Sequence, residues 1–315
     1  MKIGFIGLGN VGAKLAGSLQ RNGFELIVRD LDIAAAQSLL AGGAAWADSP
    51  KRLAQMADLI ITCLPSPAVV SDVMESDDGI IAGLGPAKIW LEMSTTDEAE
   101  VKRLATLVEA AGAMSLDGPV SGGCHRAATG NISIFVGGDR VAFEKALPAL
   151  TAMGRRILHA GPLGSASVLK VVTNYLCSVH LVALGEAMMV AKKAGMDLNT
   201  TFEAIRISSG NSFVHETESQ VILNGSYNIN FTMDLVIKDM SLFDGLADRL
   251  EVPLEVSPLV LDIFKDGQAR YGNRAWSSMI VKRLEDACGT DLRTPGFPGE
   301  IFDDEAEEPG YEVVV

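Results

Sequence analysis

Cysteine is scarce in this chain and follows no pattern. Cys63, Cys124, Cys177 and Cys288 form no C-x-x-C pair and have no ligand-spaced histidine beside them. Neither a disulfide framework nor a zinc site is expected, no metal is expected elsewhere, and a reducing compartment fits. Positive charge is also in short supply: 26 lysines and arginines face 40 acidic residues, a formal net charge of -14. That balance disfavours nucleic acid and anionic membranes as partners, since both call for a basic footprint, yet local cations still allow a small anionic substrate. No leader precedes the first strand-like run at Lys2, so a cytoplasmic protein is expected. Proline is absent from Gly164 to Asp197, and the stretch from Val168 to Val190 is apolar enough to raise the question of a membrane span. Lys170, Asn174, His180 and Glu186 interrupt it at positions costly in lipid, which points to a buried helix instead.

Glycine, by contrast, is abundant and placed with order. The strand-like Lys2 to Ile6 runs into Gly7-Leu8-Gly9-Asn10-Val11-Gly12 and then into the helical Ala13 to Leu19. A dinucleotide site needs this order: Gly7 for a tight turn, Gly9 for close approach to a pyrophosphate, and Gly12 for close packing of helix on strand. The helix N-terminus then faces the phosphates. A second strand, Glu25 to Arg29, ends at Asp30, about 20 residues beyond the glycines, where a carboxylate takes the ribose hydroxyls of NAD and repels a 2′-phosphate. NAD is therefore favoured over NADP, with Arg29 as the one neighbouring cation that would serve a phosphate.

From there the first half alternates apolar strands with helices, which predicts an α/β fold: a doubly wound, mainly parallel sheet covered on both faces. With 315 residues and 48% hydrophobic content the chain is long enough for about two domains. The pattern changes near Gly161, and only helical periodicity follows, beginning with one helix of roughly 30 residues, well above the usual length. The expected organisation is a Rossmann-type domain over 1–162, an all-helical domain over 163–290, and an acidic tail over 291–315. A long helix apolar on nearly every face must be packed on all sides, which suggests one shared with a partner subunit. The tail, with Pro295, Pro298, Pro309 and a run of acids, reads as a solvated, mobile terminus.

Three places carry candidate chemistry. Lys170 and Asn174 lie four apart on the long helix and share a face. An amine among apolar neighbours has its charged form destabilised, which suits proton transfer with a hydroxyl; the alternative is a partly exposed lysine on the first turns. Ser121, Gly122 and Gly123 follow a strand at the carboxyl edge of the sheet, where backbone amides converge on an anion. Lys238 stands next to Asp239, and an i,i+4 surface pair with Asp234 explains it without any function.

Together these motifs resemble the 3-hydroxyisobutyrate dehydrogenase, or β-hydroxyacid dehydrogenase, family. The resemblance runs from Phe5-Ile6-Gly7-Leu8-Gly9 through Cys63-Leu64-Pro65, Glu92-Met93-Ser94-Thr95, Gly118 to Gly123, Gly164 to Asn174 and Lys238-Asp239. It implies an NAD(P)-dependent oxidoreductase that moves a hydride between nicotinamide and the hydroxyl-bearing carbon of a short acid. It further implies Lys170 as acid/base, Asn174 as a positioning group, Ser121, Gly122 and Gly123 as holders of the substrate carboxylate, Lys238 near nicotinamide and substrate, and Leu64, Pro65 and Thr95 along the cofactor. A homodimer or homotetramer built through the long helix is implied as well. Arg126 stands where many members carry smaller or acidic residues; it either adds a second contact to a carboxylate or sulfonate substrate or is a solvent-facing arginine. An imine reductase on the same fold and a non-catalytic NAD sensor are the alternatives; the resemblance implies that imine reductases usually lack the lysine found here at 170.

Overall fold

The computed structural model describes residues 1–315, which divide into two compact units, 1–170 with 303–315 and 171–302. The first unit contains β1 (Lys2–Ile6), α1 (Gly12–Arg21), β2 (Glu25–Arg29), α2 (Gln37–Ala41), β3 (Ala45–Trp46), α3 (Pro50–Met56), β4 (Leu59–Thr62) and α4 (Pro67–Glu75). It continues with β5 (Ile89–Glu92), α5 (Glu98–Ala110), β6 (Met114–Asp117), β7 (Val120–Ser121), α6 (Gly123–Thr129), β8 (Ser133–Gly138), α7 (Arg140–Met153) and β9 (Arg156–Gly161). A single helix, α8 (Ser165–Lys193), starts in the first unit and runs into the second. The second unit adds α9 (Leu198–Arg206), α10 (Phe213–Asn224), α11 (Met233–Arg249), α12 (Val256–Tyr271) and α13 (Lys282–Cys288), and β10 (Tyr311–Val313) belongs to the first.

The strands join in the order β10-β9-β8-β6-β5-β4-β1-β2-β3, with β7 paired to β8. All pairings are parallel except those of β8 with β6 and β7. Successive side chains feed opposite faces: Ile3, Phe5, Leu59, Ile61 and Leu91 enter one core with α1 and α7, while Ile6, Ile60 and Trp90 enter another with α3 and α5. Two buried faces are why these strands read as unbroken apolar runs.

The acidic tail differs from expectation. Instead of a solvated terminus, β10 lies parallel to β9 and covers the edge of the sheet. The long helix also differs in part, because the chain covers only some of it: 33% of its most apolar 18-residue stretch is buried. Leu176, His180, Ala183, Ala187 and Val190 form an exposed stripe at three- and four-residue spacing.

Candidate active site

Ile6 pairs with Thr62, Thr62 with Glu92, and Glu92 with Asp117, so one row of residues crosses four parallel strands. Because the strands are parallel, the segments that follow leave the same edge: Gly7 to Gly12, Leu64-Pro65, Ser94-Thr95, and Gly118 to Gly123. These segments lie far apart in sequence, and the strand register brings them to one edge.

At the first exit, Gly7 adopts φ +97, and a Cβ there would lie 2.3 Å from the Cys63 carbonyl oxygen. Gly12 packs so that a Cβ would meet the Gly7 carbonyl oxygen at 2.0 Å, whereas around Gly9 there is open space. Helices α3, α4, α5 and α7 each begin with a serine or aspartate whose side chain accepts a backbone N–H. Helix α1 begins at Val11 with no such cap, as does α6 at Gly122. At α1, uncapped N-terminal amides beside the open backbone of Gly9 suit a phosphate. Leu8 is buried, Asn10 is exposed and Val11 is half-buried. Asp30 accepts from Leu8 N at 2.6 Å and Asp32 N at 3.1 Å, which ties the end of β2 to the glycine loop. Arg29 stacks its guanidinium on Trp46, 5.1 Å from the ring centroid. These residues fit a bound dinucleotide.

The polar members of the row do work that the sequence did not reveal. Glu92, fully buried, accepts from Thr62 Oγ1 and from Ser94 N, each at 2.6 Å; Trp90 Nε1 donates to Thr62 Oγ1 at 2.9 Å, and Leu64 N to Ser94 Oγ at 2.7 Å. Burial pushes the Glu92 carboxyl up to about 7, against the hydrogen bonds from Ser94 and Thr62. This network sets where half-buried Leu64 and Thr95 and exposed Pro65 emerge.

Asp117 ends β6 and is completely buried, and its carboxylate anchors the start of α8. It accepts from Gly164 N at 2.9 Å, Ser167 N at 2.7 Å and Ser167 Oγ at 2.8 Å. Burial raises its pKa and those same hydrogen bonds oppose the rise. Gly137 makes room for it, since a Cβ there would stand 2.3 Å from Asp117 Oδ1. Half-buried Lys170 lies one turn past Ser167, and Ser121 lies four residues past Asp117 on the other side. One carboxylate thus ties the lysine-bearing helix to the strand that carries the serine-glycine loop.

In the second unit, Asp239 Oδ2 accepts from Asn174 Nδ2 at 2.5 Å, and Asp239 Oδ1 pairs with Lys238 Nζ at 2.9 Å. Asp239 is 3% exposed. Asp234, one turn before Lys238, bonds Thr232 and Arg274. Arg126, a candidate contact for the substrate, has its Nη2 2.7 Å from Glu305 of the tail. The signal for the missed residues was a polar residue closing an apolar strand, as at Thr62, Glu92 and Asp117.

Residues 2–161 match the family described as the NAD binding domain of 6-phosphogluconate dehydrogenase. Residues 164–284 match the one described as NAD-binding of NADP-dependent 3-hydroxyisobutyrate dehydrogenase. The chain belongs to the 3-hydroxyisobutyrate dehydrogenase family. As a member it is an NAD(P)-dependent oxidoreductase of the hydroxyacid dehydrogenase type. It is 35% identical to the NAD-dependent L-serine dehydrogenase of Pseudomonas aeruginosa, over 90% of this chain and 98% of that protein. It is 31% identical to the 2-(hydroxymethyl)glutarate dehydrogenase of Eubacterium barkeri, over 93% and 97%. The Mycobacterium tuberculosis 3-hydroxyisobutyrate dehydrogenase solved with L-serine superposes with a TM-score of 0.81 at 28% identity, over 90% and 98%. An imine reductase from Myxococcus stipitatus shares the fold at 17% identity with a TM-score of 0.62.

Proposed function

We propose that this dehydrogenase oxidises the hydroxyl of a short β-hydroxy acid, or reduces the matching semialdehyde, with Lys170 as general acid/base. The observation that carries this reading is Asp117, which fixes the start of α8, and with it Lys170, to the strand end from which the Ser121-Gly122-Gly123 loop departs. Ser121 and the amides of Gly122 and Gly123 bind the substrate carboxylate, and Asn174, oriented by Asp239, positions the substrate oxygen. Lys170 Nζ, as the free amine, takes the hydroxyl proton while the carbinol carbon becomes a carbonyl; in the reverse direction it returns that proton. Nicotinamide, when bound, accepts or supplies the hydride.

Gly7, Leu8, Gly9, Asn10, Val11 and Gly12 hold the pyrophosphate, Asp30 the ribose hydroxyls, and Leu64, Pro65 and Thr95 line the remainder, with Lys238 near the nicotinamide. NAD is preferred over NADP because the Asp30 charge repels a 2′-phosphate while Arg29 is engaged with Trp46. Lys170 favours alcohol over imine chemistry. A homodimer or homotetramer, sealed by the exposed stripe of α8, completes the protein, and its working place is the cytoplasm. Reduction of NAD and NADP, followed by absorbance, with L-serine, 3-hydroxyisobutyrate, L-threonate and 2-(hydroxymethyl)glutarate tests the reading. Turnover with NAD on at least one acid is expected; none on any of the four, with either cofactor, contradicts it.

A further inference from the structure

The acidic tail is built onto the back of α6. Asp303 accepts from the Thr129 hydroxyl and from Asn131 Nδ2, the latter at 2.8 Å. Glu305 meets Arg126 Nη2 at 2.7 Å, and its carbonyl oxygen accepts from Asn131 Nδ2 at 3.0 Å. Asn131 is 1% exposed, so both donors of a buried amide depend on the tail. Removing those acceptors would leave them unpaired at the cost of a buried polar group. Further along, Glu307, Glu308 and Glu312 pair with Arg21, Arg155 and Arg140. Gly310 lets the tail backbone lie close, since a Cβ there would stand 2.0 Å from the Gly154 carbonyl oxygen.

Helix α6 begins directly after Ser121 and Gly122, and Gly122 and Gly123 adopt φ +128 and +87. Such backbone is open to glycine at little cost, but it brings no side chain to hold the loop in place. Strand β7 holds Ser121 against Ser133 of β8, and Gly122 and Gly123 take their position from α6. Helix α1 grips α6 on one side, where Ser18 Oγ and Arg21 Nη2 donate to the carbonyls of Ala127 and Ala128 at 3.4 and 2.8 Å. The tail supplies a second grip.

We propose that the segment 303–305 is a positioning device for the substrate. By fixing Arg126, Thr129 and Asn131 it holds α6, and through α6 the Ser121-Gly122-Gly123 loop, in the conformation that binds a carboxylate. This rests on the reading of that loop as the carboxylate site, and it makes Arg126 and Glu305 positioning residues, with neither touching the substrate.

Two readouts on the full-length protein test it. In the double variant Asp303→Ala/Glu305→Ala, backbone amides of 121–131 are expected to exchange hydrogen about tenfold faster, a measurement independent of turnover. With NAD and the best acid of the four named above, KM for the acid should rise about tenfold while kcat stays within about twofold and the NAD Kd is unchanged. Compared with Glu305→Arg alone, the exchanged pair Arg126→Glu/Glu305→Arg should bring both readouts back toward wild type, which separates a lost contact from a failure to fold. Unchanged exchange over 121–131, or faster exchange with an unchanged KM, overturns the proposal. So does a lower KM in Glu305→Gln, which would mean that Glu305 competes with the substrate for Arg126. Faster exchange in the double variant of a protein whose wild type turns over none of the acids would support the tail's grip on α6 and refute the carboxylate reading alone.

Discussion

Asp30 ties the glycine loop through Leu8 N, and in the proposed reading the same carboxylate presents negative charge to the ribose of a dinucleotide. Asp30→Ser removes the repulsion of a 2′-phosphate, so the ratio of kcat/KM for NAD to that for NADP should fall by about tenfold or more in parallel assays. A wild type that already prefers NADP would contradict the charge argument. Glu218 on α10 is a different kind of buried acid: burial pushes it up to about 8, and its Oε2 lacks a hydrogen-bond partner. A carboxyl whose pKa is higher folded than unfolded favours the folded state at low pH and loses that contribution as pH rises from the unfolded value toward 8. Glu92, raised to about 7, acts in the same direction over a narrower window. Glu218→Gln should therefore change Tm little at pH 5 and raise it by a few degrees at pH 8. A Tm difference that does not grow between those two values, followed by thermal denaturation, would show that Glu218 is not held protonated.

Elements with many residues were legible in the sequence and short ones were not. The helix of about 30 residues after Gly164 emerges where the period puts it, because it repeats its signal several times. Strands β3 and β7 have two residues each, too few for an alternation to show, and α6 hides behind its glycines. Between elements the sequence says less still. That Asp117 would reach α8 depends on contacts 47 and 50 residues away and on the space left at Gly137. Asp117→Asn puts an amide donor among groups that already donate, at a cost of about 1–3 kcal/mol. Lower Tm together with reduced kcat is the expected result, since Lys170 rides on the helix that Asp117 anchors. Loss of stability without loss of kcat would confine Asp117 to the fold.

At the scale of the whole molecule, the loops and the long helix of the candidate site were legible and the pairing of the tail was not. Glycine loop, serine-glycine loop and lysine are local patterns, whereas the acids of the tail answer arginines at 21, 126, 140 and 155, scattered through the first unit, so nothing nearby in sequence marks them as paired. The open stripe of α8 carries the same lesson outward, because Leu176 and Val190 are 45% and 69% exposed on a helix whose composition calls for cover. Sedimentation should find a dimer or larger assembly, and Leu176→Arg with Val190→Glu should shift it to the monomer; an unchanged assembly would move the interface elsewhere. The proposed proton transfer at Lys170 is checked most directly by Lys170→Ala. Its kcat on the best acid should fall about 10²- to 10⁴-fold with the NAD Kd unchanged, whereas turnover close to wild type, with NAD bound equally well, would contradict the assignment.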